Sequence, residues 1–357
     1  MFNHRYGIGI VGLCAGLFAA KTLVAGPLDP PSGAIAPTYK TLSEVEPRIP
    51  IGPTTTPGAG QAKFRIVNPG SYYLTGNIQG NATEIGILVS TNNVTIDLNG
   101  YALIGSAGSV DAINIATSDG VTIKNGRILG WGGAGINASS SAVFFTHYED
   151  IQINNVGGIG MRGGVSAIIR HCSLSSIGSV GIVAASESNI TDCIVRIAGE
   201  HGIQVSGGST VERCISRNNS GDGVSVLGAV TGVSITNCNI GSNGGDGIEV
   251  HTGSLVRGNT ITISGSGAAD GAGVHVLGSQ NRIEGNNISL SDRGVDVNLS
   301  ANLIIGNTCV GNAIDFAIAT GNTLGPIINA ATNGTLIGGS SAPGTIGSAD
   351  PWANICY

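Results

Sequence analysis

The fold is decided by a four-residue pattern that recurs along the chain: Gly202-Ile203-Gln204-Val205, Gly223-Val224-Ser225-Val226 and Gly247-Ile248-Glu249-Val250. Each segment places an aliphatic residue on either side of one polar residue. Because side chains alternate between the two faces of a β-strand, this pattern predicts a short strand with its aliphatic side chains inward and its polar side chain outward. Glycine at every few positions disfavours a helix. Turn-forming segments such as Asn218-Asn219-Ser220-Gly221 separate the strands.

Two sets of aliphatic residues recur with one shared period from about residue 62 onward. Members of the first set lie 19 to 26 residues apart and each follows a glycine or alanine: Ile87, Ile113, Ile136, Met161, Ile182, Ile203, Val224, Ile248, Val274, Val295 and Ile314. The second set is Ile96, Ile123, Ile153, Ile169, Ile190, Val211, Ile235, Val256, Ile283 and Ile304. Two independent sets that share a period predict a solenoid. About eleven coils, stacked roughly 4.8 Å apart, would form a rod about 50 Å long.

A coil of this length that holds about three short strands is typical of a right-handed, single-stranded parallel β-helix, an all-β fold. Leucine-rich repeats have a similar length, but their leucine–asparagine signature is absent. The segments 94–100 and 218–226 resemble the repeats of the pectate-lyase-like superfamily. The Pro-rich leader and the first coil, with Asn68-Pro69-Gly70-Ser71, also resemble a group of secreted bacterial β-helix proteins. The resemblance covers about residues 62–330 and implies the fold, whereas the chemistry carried by that fold varies.

The composition favours a thin, repeated core over one thick globular core. Of the 357 residues, 59 are glycine, 41% are hydrophobic and only 4% are aromatic. The lack of a Gly-X-Y period excludes collagen, and abundant β-branched residues disfavour disorder. The net charge is −6 and the 16 basic residues are scattered. Nucleic acid and anionic membranes both reward clustered Lys and Arg, so neither is expected as a partner.

The N-terminal region indicates export. Residues 1–25 combine a short polar start, an apolar stretch of about thirteen residues and the sequence Leu23-Val24-Ala25, which together are typical of a cleaved signal peptide. An uncleaved membrane anchor is the alternative. Residues 26–61 are rich in proline and predict an extended leader, either a tether or a segment that binds a surface layer. The β-helix is predicted over 62–335 and a C-terminal cap or tail over 336–357. The mature protein is expected to be secreted or periplasmic, without a membrane span.

A column of cysteines passes into a column of asparagines three residues after the second set: Cys172, Cys193, Cys214, Cys238, Asn259, Asn286 and Asn307. Stacked cysteines are interpreted as small apolar packing groups, with disulfides or a metal site as alternatives. Stacked asparagines predict a hydrogen-bonded ladder. Cys309 falls in the inward row of Ile240, Ile261 and Ile288, and Cys356 could pair at the C-terminal cap.

Two outward rows carry the candidate functional residues. The position after the first set is occupied in turn by Arg162, Val183, Gln204, Ser225, Glu249, His275, Asp296 and Asp315, and the position two residues before that set includes His201, Asp222 and Asp246. Stacking would set Asp222 and Asp246 about 5 Å apart, which is unfavourable unless a cation or a proton intervenes. The candidate catalytic residues are Asp222, Asp246, Glu249, His275 and Asp296. They could perform acid–base chemistry on a glycosidic bond or bind Ca²⁺.

The same residues also have a purely structural interpretation. Asp before Gly is common in tight turns, and outward polar residues keep a sheet soluble. The segment 144–150, rich in aromatic and charged residues, is interpreted as a longer loop that packs on the helix, with a sugar-stacking platform as the alternative. The motifs of the catalytic relatives are missing: Glu200-His201-Gly202 stands where β-helix polygalacturonases have Gly-His-Gly, and the pectate lyase and alginate epimerase motifs are absent.

The sequence leaves two functions open. The first is a non-catalytic exported scaffold that binds a polysaccharide or another cell-envelope component, or that mediates adhesion. The second is a polysaccharide lyase or glycoside hydrolase that uses the carboxylates and His275. Delivery of a metal ion in the periplasm would require a cluster of His or Met, and the chain has only two Met.

Overall fold

The computed structural model describes residues 46–138, 143–228, 232–265, 271–329 and 350–357. The predicted signal peptide and the first part of the predicted leader, up to residue 45, lie outside the described residues. The unit described below is the compact unit Pro47–Tyr357. Within its described ranges every regular element is a strand, and no helix there is long and apolar enough to cross a bilayer.

The described strands, in chain order, are as follows: β1 (Ile49–Pro50), β2 (Pro57–Ala59), β3 (Ala62–Ile66), β4 (Gly70–Tyr73), β5 (Ile78–Gln79), β6 (Ile85–Val89), β7 (Val94–Asp97), β8 (Ala102–Ile104), β9 (Ile113–Ile115), β10 (Thr122–Leu129), β11 (Ile136–Asn137), β12 (His147–Val156), β13 (Met161–Gly163), β14 (Ile168–Arg170), β15 (Ser173–Ile177), β16 (Ile182–Ala184), β17 (Asn189–Thr191), β18 (Ile194–Ala198), β19 (Ile203–Val205), β20 (Thr210–Glu212), β21 (Ile215–Arg217), β22 (Val224–Val226), β23 (Ser234–Thr236), β24 (Asn239–Asn243), β25 (Ile248–Val250), β26 (Leu255–Arg257), β27 (Thr260–Ser264), β28 (Ala272–Val276), β29 (Arg282–Glu284), β30 (Asn287–Ser289), β31 (Arg293–Val297), β32 (Leu303–Ile305), β33 (Thr308–Val310), β34 (Ile314–Ile318), β35 (Thr323–Leu324), β36 (Ile327–Asn329) and β37 (Asn354–Cys356).

These strands form two sheets that wind around one core. A regular coil contributes one strand to a 13-stranded sheet and two strands to a 24-stranded sheet. In the regular coils, strands that pair are three apart along the chain, as β16 with β19 and β17 with β20, and they are parallel. β2 instead pairs antiparallel with β3. The 13-stranded sheet therefore contains twelve parallel turns, from β3 to β34, and the predicted parallel β-helix is confirmed.

The core consists of aliphatic side chains stacked one above another. Ile203, Val224 and Ile248 lie in register on adjacent strands and are fully buried. Val211 and Ile235 form part of the second predicted row and are also fully buried. Burying each such side chain contributes about 1.5–3 kcal/mol. The repetition of these small contributions, rather than a few large aromatics, stabilises the fold.

Tyr148 occupies the place in the second row that the sequence pattern assigned to Ile153. It lies in register between Ile123 and Ile169 and is fully buried. Ile153 is instead the seventh residue of the ten-residue strand β12, and it points into the core as part of the next row. The expectation for Ile153 was wrong because one long strand carries inward side chains for two rows.

The aromatic and charged segment 144–150 is therefore divided between two environments. Its second half belongs to β12, where the Tyr148 hydroxyl donates a hydrogen bond to the Arg162 carbonyl oxygen at 3.0 Å. Phe144 and Phe145 precede the strand and are exposed, with their ring centroids 6.1 Å apart. The interpretation of the whole segment as a loop was wrong, since its second half is a core strand.

The last turn is shifted by two residues from the predicted stacking. Phe316, not Ile314, lies in register with Val295, and Ile314 is 50% exposed. Ala317 rather than Asp315 consequently continues the outward row. The sequence cannot distinguish these registers, because Ile314, Phe316 and Ile318 alternate with the same period of two.

Strand pairing extends beyond both predicted ends of the β-helix. β1, inside the predicted leader, pairs with β4, and β2 covers the first parallel strand, β3. Phe64 of β3 lies in register with Ile87, one turn before the first predicted member of its row. At the other end, β37 pairs with β33 and β36. The described part of the leader and the last residues of the chain are thus built into the sheets.

A residue with a left-handed backbone makes the corner between the two strands that each coil contributes to the 24-stranded sheet. Asp192 and Asn237, for example, have φ values of 54° and 55°. Asn and Asp tolerate this conformation better than most side chains, and glycine adopts it without steric cost. The equivalent positions are Asn125, Asp150, His171, Asp192, Arg213, Asn237, Gly258, Gly285 and Gly306. The cysteine and asparagine column begins directly after this corner.

The cysteines and asparagines of that column have different partners. Each of Cys172, Cys193, Cys214 and Cys238 is unpaired with another cysteine and lies close to backbone carbonyl oxygens, as from Cys193 Sγ to Thr191 O at 3.3 Å. The neighbouring thiols and burial raise the pKa of the Cys193 and Cys214 thiols. Cys309 and Cys356 lie in register and are also free thiols. The packing interpretation of the cysteines therefore describes the structure.

The asparagines form the predicted ladder. Asn286 Oδ1 accepts the backbone N–H of Asn259 at 3.0 Å, and Asn307 Oδ1 accepts that of Asn286 at 3.0 Å. Asn354, from the last strand, extends the ladder by accepting the N–H of Asn307 at 3.0 Å. A second ladder, which the sequence analysis did not identify, joins Asn281 to Asn302.

Candidate active site

The outward row of the 13-stranded sheet brings three predicted candidates onto consecutive turns. Glu249 of β25 lies in register with His275 of β28, and His275 lies in register with Asp296 of β31. Parallel neighbours are about 4.8 Å apart, so the three side chains leave the same face of the sheet side by side. His275 is only 9% exposed and Asp296 only 4%, although both point away from the core.

Asp222 and Asp246 each have two roles, because their two carboxylate oxygens have different partners. Asp222 Oδ1 accepts the backbone N–H of Asp246 at 2.8 Å, and Asp246 Oδ1 accepts that of Ala272 at 2.6 Å. The second oxygen of each faces a histidine: Asp222 Oδ2 lies 3.0 Å from His201 Nδ1, and Asp246 Oδ2 lies 2.9 Å from His275 Nδ1. Each aspartate can therefore stabilise the backbone through one oxygen and contact a histidine through the other, so its structural role does not exclude a chemical one.

His275 is held at both ring nitrogens. Its Nδ1 faces Asp246, while its Nε2 lies 3.0 Å from Asn298 Nδ2 and 3.9 Å from Asp296 Oδ2. The same Asp296 oxygen forms an ion pair with Arg293 Nη1. An imidazole fixed by a carboxylate on one side has a defined orientation and a stabilised protonated form. We call Asp246, Glu249, His275, Arg293, Asp296 and Asn298 the His275 cluster.

Glu249 is the accessible carboxylate of this cluster. It is half-buried, whereas the other four candidates are buried. Burial raises the pKa of Glu249, and the negative charges of Asp222 and Asp246 raise it further, against the opposing effect of His275 and His201. No hydrogen bond joins its carboxylate to another residue of the described ranges. A carboxyl group that retains its proton more readily than usual is suited to act as a general acid.

Neighbouring carboxylates raise the pKa of both histidines. For His275, burial alone lowers the pKa, but the hydrogen bond to Asp246 and the charges of Asp246, Asp296 and Glu249 outweigh this effect and raise it. The hydrogen bond that His201 donates to the Asp222 carboxylate raises the pKa of His201, against the effect of burial. Glu249 thus lies between two histidine–aspartate pairs.

The donor atoms of Asp246, Glu249 and His275 lie within 4.8 Å of one another, so these three residues could hold a cation. Ca²⁺ prefers six to eight oxygen ligands. Here one donor is an imidazole, and both oxygens of Asp246 already have partners, the Ala272 N–H and His275 Nδ1. A cation would have to displace the Asp246–His275 contact. The donor set therefore fits proton transfer better than the Ca²⁺ site that the sequence left open.

A second group of donor atoms comprises Glu149, Asp150 and His171 on the 24-stranded sheet. Asp150 and His171 are exposed, and Arg170 Nη2 lies 2.8 Å from Glu149 Oε1. The guanidinium group already neutralises Glu149 and would repel a bound cation. This group is an exposed set of ion pairs rather than a metal centre.

Three grooves on the described surface are lined by residues outside the His275 cluster. One follows the turns past Trp131, Gly157 and Gly178. The second lies on the 24-stranded sheet and includes Arg196, and the third lies near the C-terminal end and includes Trp352. The cluster itself occupies the outer face of a sheet, where Glu249 is its accessible acid.

The structure brings all five predicted candidates together and adds residues that the sequence analysis did not propose. Arg293 lies in the same row as Asp222 and Asp246, in register with Ala272. Because Arg293 is two residues before a member of the first aliphatic set, the sequence pattern could have identified it. Asn298 follows directly after β31, outside the alternating pattern, and the sequence offered no sign of its contact with His275. His201 was noted in its row but not proposed as a candidate.

The fold and this site define the class: the chain is a right-handed parallel β-helix protein with ionisable side chains gathered on one sheet face. Residues 111–261 match the family model for the right handed beta helix region. That range contains Asp222, Asp246 and Glu249 and ends before His275. No curated protein sequence matches the chain.

Solved structures with the same fold include two with a TM-score above 0.5. The catalytic domain of a GH87 alpha-1,3-glucanase in complex with tetrasaccharides has a TM-score of 0.57 at 13% identity, covering 72% of this chain and 59% of that one. A tailspike protein of E. coli bacteriophage HK620 has a TM-score of 0.52 at 10% identity, covering 70% and 56%. The A-module of the mannuronan C-5 epimerase AlgE4 of Azotobacter vinelandii has a TM-score of 0.48 at 14% identity, covering 71% and 90%. At these identities the likeness to the glucanase domain and the tailspike protein shows the fold alone.

Proposed function

We propose that this protein acts on a polysaccharide and that Glu249 and His275 are its acid–base pair, oriented by Asp246. The observation that carries the proposal is the approach of these three side chains, whose donor atoms lie within 4.8 Å on two adjacent turns. Cleavage of a glycosidic bond by elimination or hydrolysis requires one group that gives a proton and one that takes a proton. The comparison with carbohydrate-acting β-helix proteins supports the substrate class by analogy of fold.

The proposed roles follow from the surroundings of each group. Glu249 is accessible, and its raised pKa favours the protonated form that can donate to a leaving oxygen. His275 accepts a proton at Nε2, while the Asp246 carboxylate at Nδ1 stabilises the imidazolium that forms. The Asn298 amide, 3.0 Å from Nε2, keeps the imidazole plane in position before substrate binds.

The test is to incubate the purified full chain with a panel of anionic and neutral polysaccharides and to measure new reducing ends and ultraviolet-absorbing unsaturated products. Elimination yields both signals, and hydrolysis yields only the first. We expect Glu249→Gln to lower kcat/KM by about 10² to 10⁴-fold. The matched control is Glu284→Gln, which removes a carboxylate paired with Arg282 on the other sheet and should leave turnover unchanged.

A non-catalytic glycan-binding scaffold is the second candidate, favoured by the position of the described grooves outside the His275 cluster. Binding of a polysaccharide by the wild-type chain without any product, across the whole panel, would establish this function and reject the catalytic proposal. Turnover that survives unchanged in Glu249→Gln would also reject the assignment of the acid.

The proposal includes export, on the support of the signal-peptide pattern in residues 1–25. Expression of the full chain with a C-terminal tag, followed by fractionation and N-terminal sequencing of the product, tests it. We expect a chain that begins near residue 26 outside the cytoplasm. An intact Met1 in the cytoplasmic fraction would contradict it.

A further inference from the structure

We infer that the 24-stranded sheet carries a second binding surface, specific for an anionic polysaccharide, in which Arg196 and Arg217 bind the acidic groups of the polymer. This surface is built from strands β12, β15, β18 and β21, on a different sheet from the His275 cluster. It therefore adds a site to the proposed function and does not depend on it. We call it the Arg196 surface: Gln152, Asn154, Ser173, Ser175, Arg196 and Arg217.

The register aligns these side chains in two neighbouring rows. Asn154, Ser175, Arg196 and Arg217 occupy equivalent positions on four successive turns. Gln152 and Ser173 form the adjacent row and, with Arg196, line one groove. Amide and hydroxyl groups thus recur about every 4.8 Å along the groove as far as the Arg196 guanidinium, and Arg217 lies in register with Arg196 on the next turn. A groove with this periodicity, open along the rod, suits a linear polymer with many hydroxyl groups.

Arg196 and Arg217 differ from Arg170 and Arg213, on the same sheet, in having no acidic partner within the described ranges. Arg213 Nη2, for example, lies 2.9 Å from Asp192 Oδ2, and Arg170 Nη2 lies 2.8 Å from Glu149 Oε1. Within the described ranges, no carboxylate forms an ion pair with Arg196 or Arg217. They are directly opposite each other on adjacent strands, where like charges are mutually destabilising. In a chain of net charge −6, no ion pair within the described ranges offsets the repulsion between these two arginines. A bound anion would offset it.

Arg217 is held in place for such a contact. Its Nη1 donates a hydrogen bond to Asn239 Oδ1 at 3.1 Å. Its guanidinium lies against residue 241, where a Cβ would come within 3.2 Å of Nη2, so glycine at this position provides the room. A planar guanidinium presents two parallel N–H donors that match the oxygens of a carboxylate or a sulfate. The ligand is therefore a polysaccharide that carries one of these two groups.

The experiment is affinity electrophoresis of the folded full chain in native gels that contain polygalacturonate, dextran sulfate or neutral dextran. We expect retardation by one or both of the anionic polymers and none by dextran, and the two anionic gels distinguish carboxylate from sulfate recognition. The double variant Arg196→Gln/Arg217→Gln should weaken the retention about tenfold or more, since each charged contact contributes substantially. Circular dichroism of the variant checks that the fold is intact.

The matched control is Arg170→Gln/Arg213→Gln, which removes the same charge from arginines that already have acidic partners. Retention close to that of the wild type is expected for this control, and intermediate retention is expected for Arg196→Lys/Arg217→Lys, which keeps the charge and loses the planar donors. Equal weakening in both Gln doubles, or equal retardation by dextran and the anionic polymers, would overturn the inference. Turnover with a short soluble substrate depends on Glu249, so the outcome here is independent of the outcome for the His275 cluster.

Discussion

On the 24-stranded sheet, neighbouring turns place Lys124, Glu149 and Arg170 in register, so that each charge faces one of opposite sign. On the 13-stranded sheet, neighbouring turns instead place Glu249, His275 and Asp296 in register. The backbone geometry is the same in both rows, which we call the ion-paired row and the His275 row. The difference lies in the side chains: those of the first row are half-buried and neutralise one another, whereas in the second row His275 and Asp296 are buried and Glu249 is half-buried.

This comparison shows how a repetitive scaffold acquires a site without changing its backbone. A partly exposed pair such as Arg170 and Glu149 contributes little net stability, because water screens both charges. A buried pair such as Asp246 and His275 loses that screening, so each group depends on the other, and the contact with Asp246 raises the pKa of His275 against the effect of burial. Burial, rather than the number of charges, separates a solvated face from a reactive one.

The largest expected effect comes from His275. Replacing His275 with Gln removes the proton acceptor and retains a side chain of similar reach, so kcat should fall by about 100-fold or more. The matched change is His147→Gln, which removes a histidine that lies 3.8 Å from Glu149 in the ion-paired row and should alter kcat less than about twofold. Steady-state kinetics on the substrate found in the panel measure both. Equal losses in the two variants would mean that the two rows do not differ in function.

The next effect concerns stability. Asp246→Ala removes the acceptor for the Ala272 N–H and the partner of His275 together, leaving two buried polar groups without their contacts. A cost of about 3 kcal/mol in the free energy of unfolding is expected. Asp192→Asn breaks the exposed ion pair with Arg213, keeps a side chain that tolerates the left-handed corner, and should leave the urea midpoint nearly unchanged. The comparison would fail if Asp192→Asn destabilised the protein as much as Asp246→Ala.

The smallest expected effect is a difference in the pH dependence of stability. Burial raises the pKa of Glu249 above its ordinary value, and the contact with Asp222 raises the pKa of His201. Groups whose pKa is higher in the folded state favour folding at low pH, and that contribution is lost as the pH rises through their folded values. In the ion-paired row, the hydrogen bond from Arg170 lowers the pKa of Glu149, so its contribution is lost as the pH falls.

Urea unfolding of the wild type, Glu249→Gln and Glu149→Gln at pH values between about 4 and 8 measures this difference. Glu249→Gln should reduce the loss of stability on going from low to high pH, and Glu149→Gln should reduce the loss toward acid. Superimposable curves for Glu249→Gln and the wild type would show that the Glu249 carboxyl ionises as it does in the unfolded chain.

The sequence predicted the fold and much of the His275 row for one physical reason. Stacked coils require apolar side chains at the same position in every turn. This requirement makes residues such as Ile203, Val224 and Ile248 recur at regular intervals in the sequence. Once that row is aligned, the neighbouring outward residues Glu249 and His275 align with it. The sequence alone therefore predicts that these candidates lie on one face of a sheet.

Other features depend on interactions that a period does not encode. The sequence pattern assigned Ile153 to the second row, because Tyr148 and Ile153 are both buried. Only the register between neighbouring turns shows that Tyr148 belongs to that row. Arg293 and Asn298 join the His275 cluster through the directions of their side chains, which follow from local packing. The partners of individual carboxylate oxygens, such as those of Asp246, likewise appear only in three dimensions.

The contact between Asn307 and Asn354 joins residues 47 positions apart and lies at the end of the asparagine ladder. In a solenoid, each turn is supported only by its neighbours, so the terminal turns set where loss of structure begins. The final eight residues therefore stabilise the C-terminal turn of the β-helix, and through it the turns that precede it. A chain that stopped before residue 350 would leave the buried Asn307 amide without an acceptor, and it should open progressively from that end while its N-terminal turns remain intact.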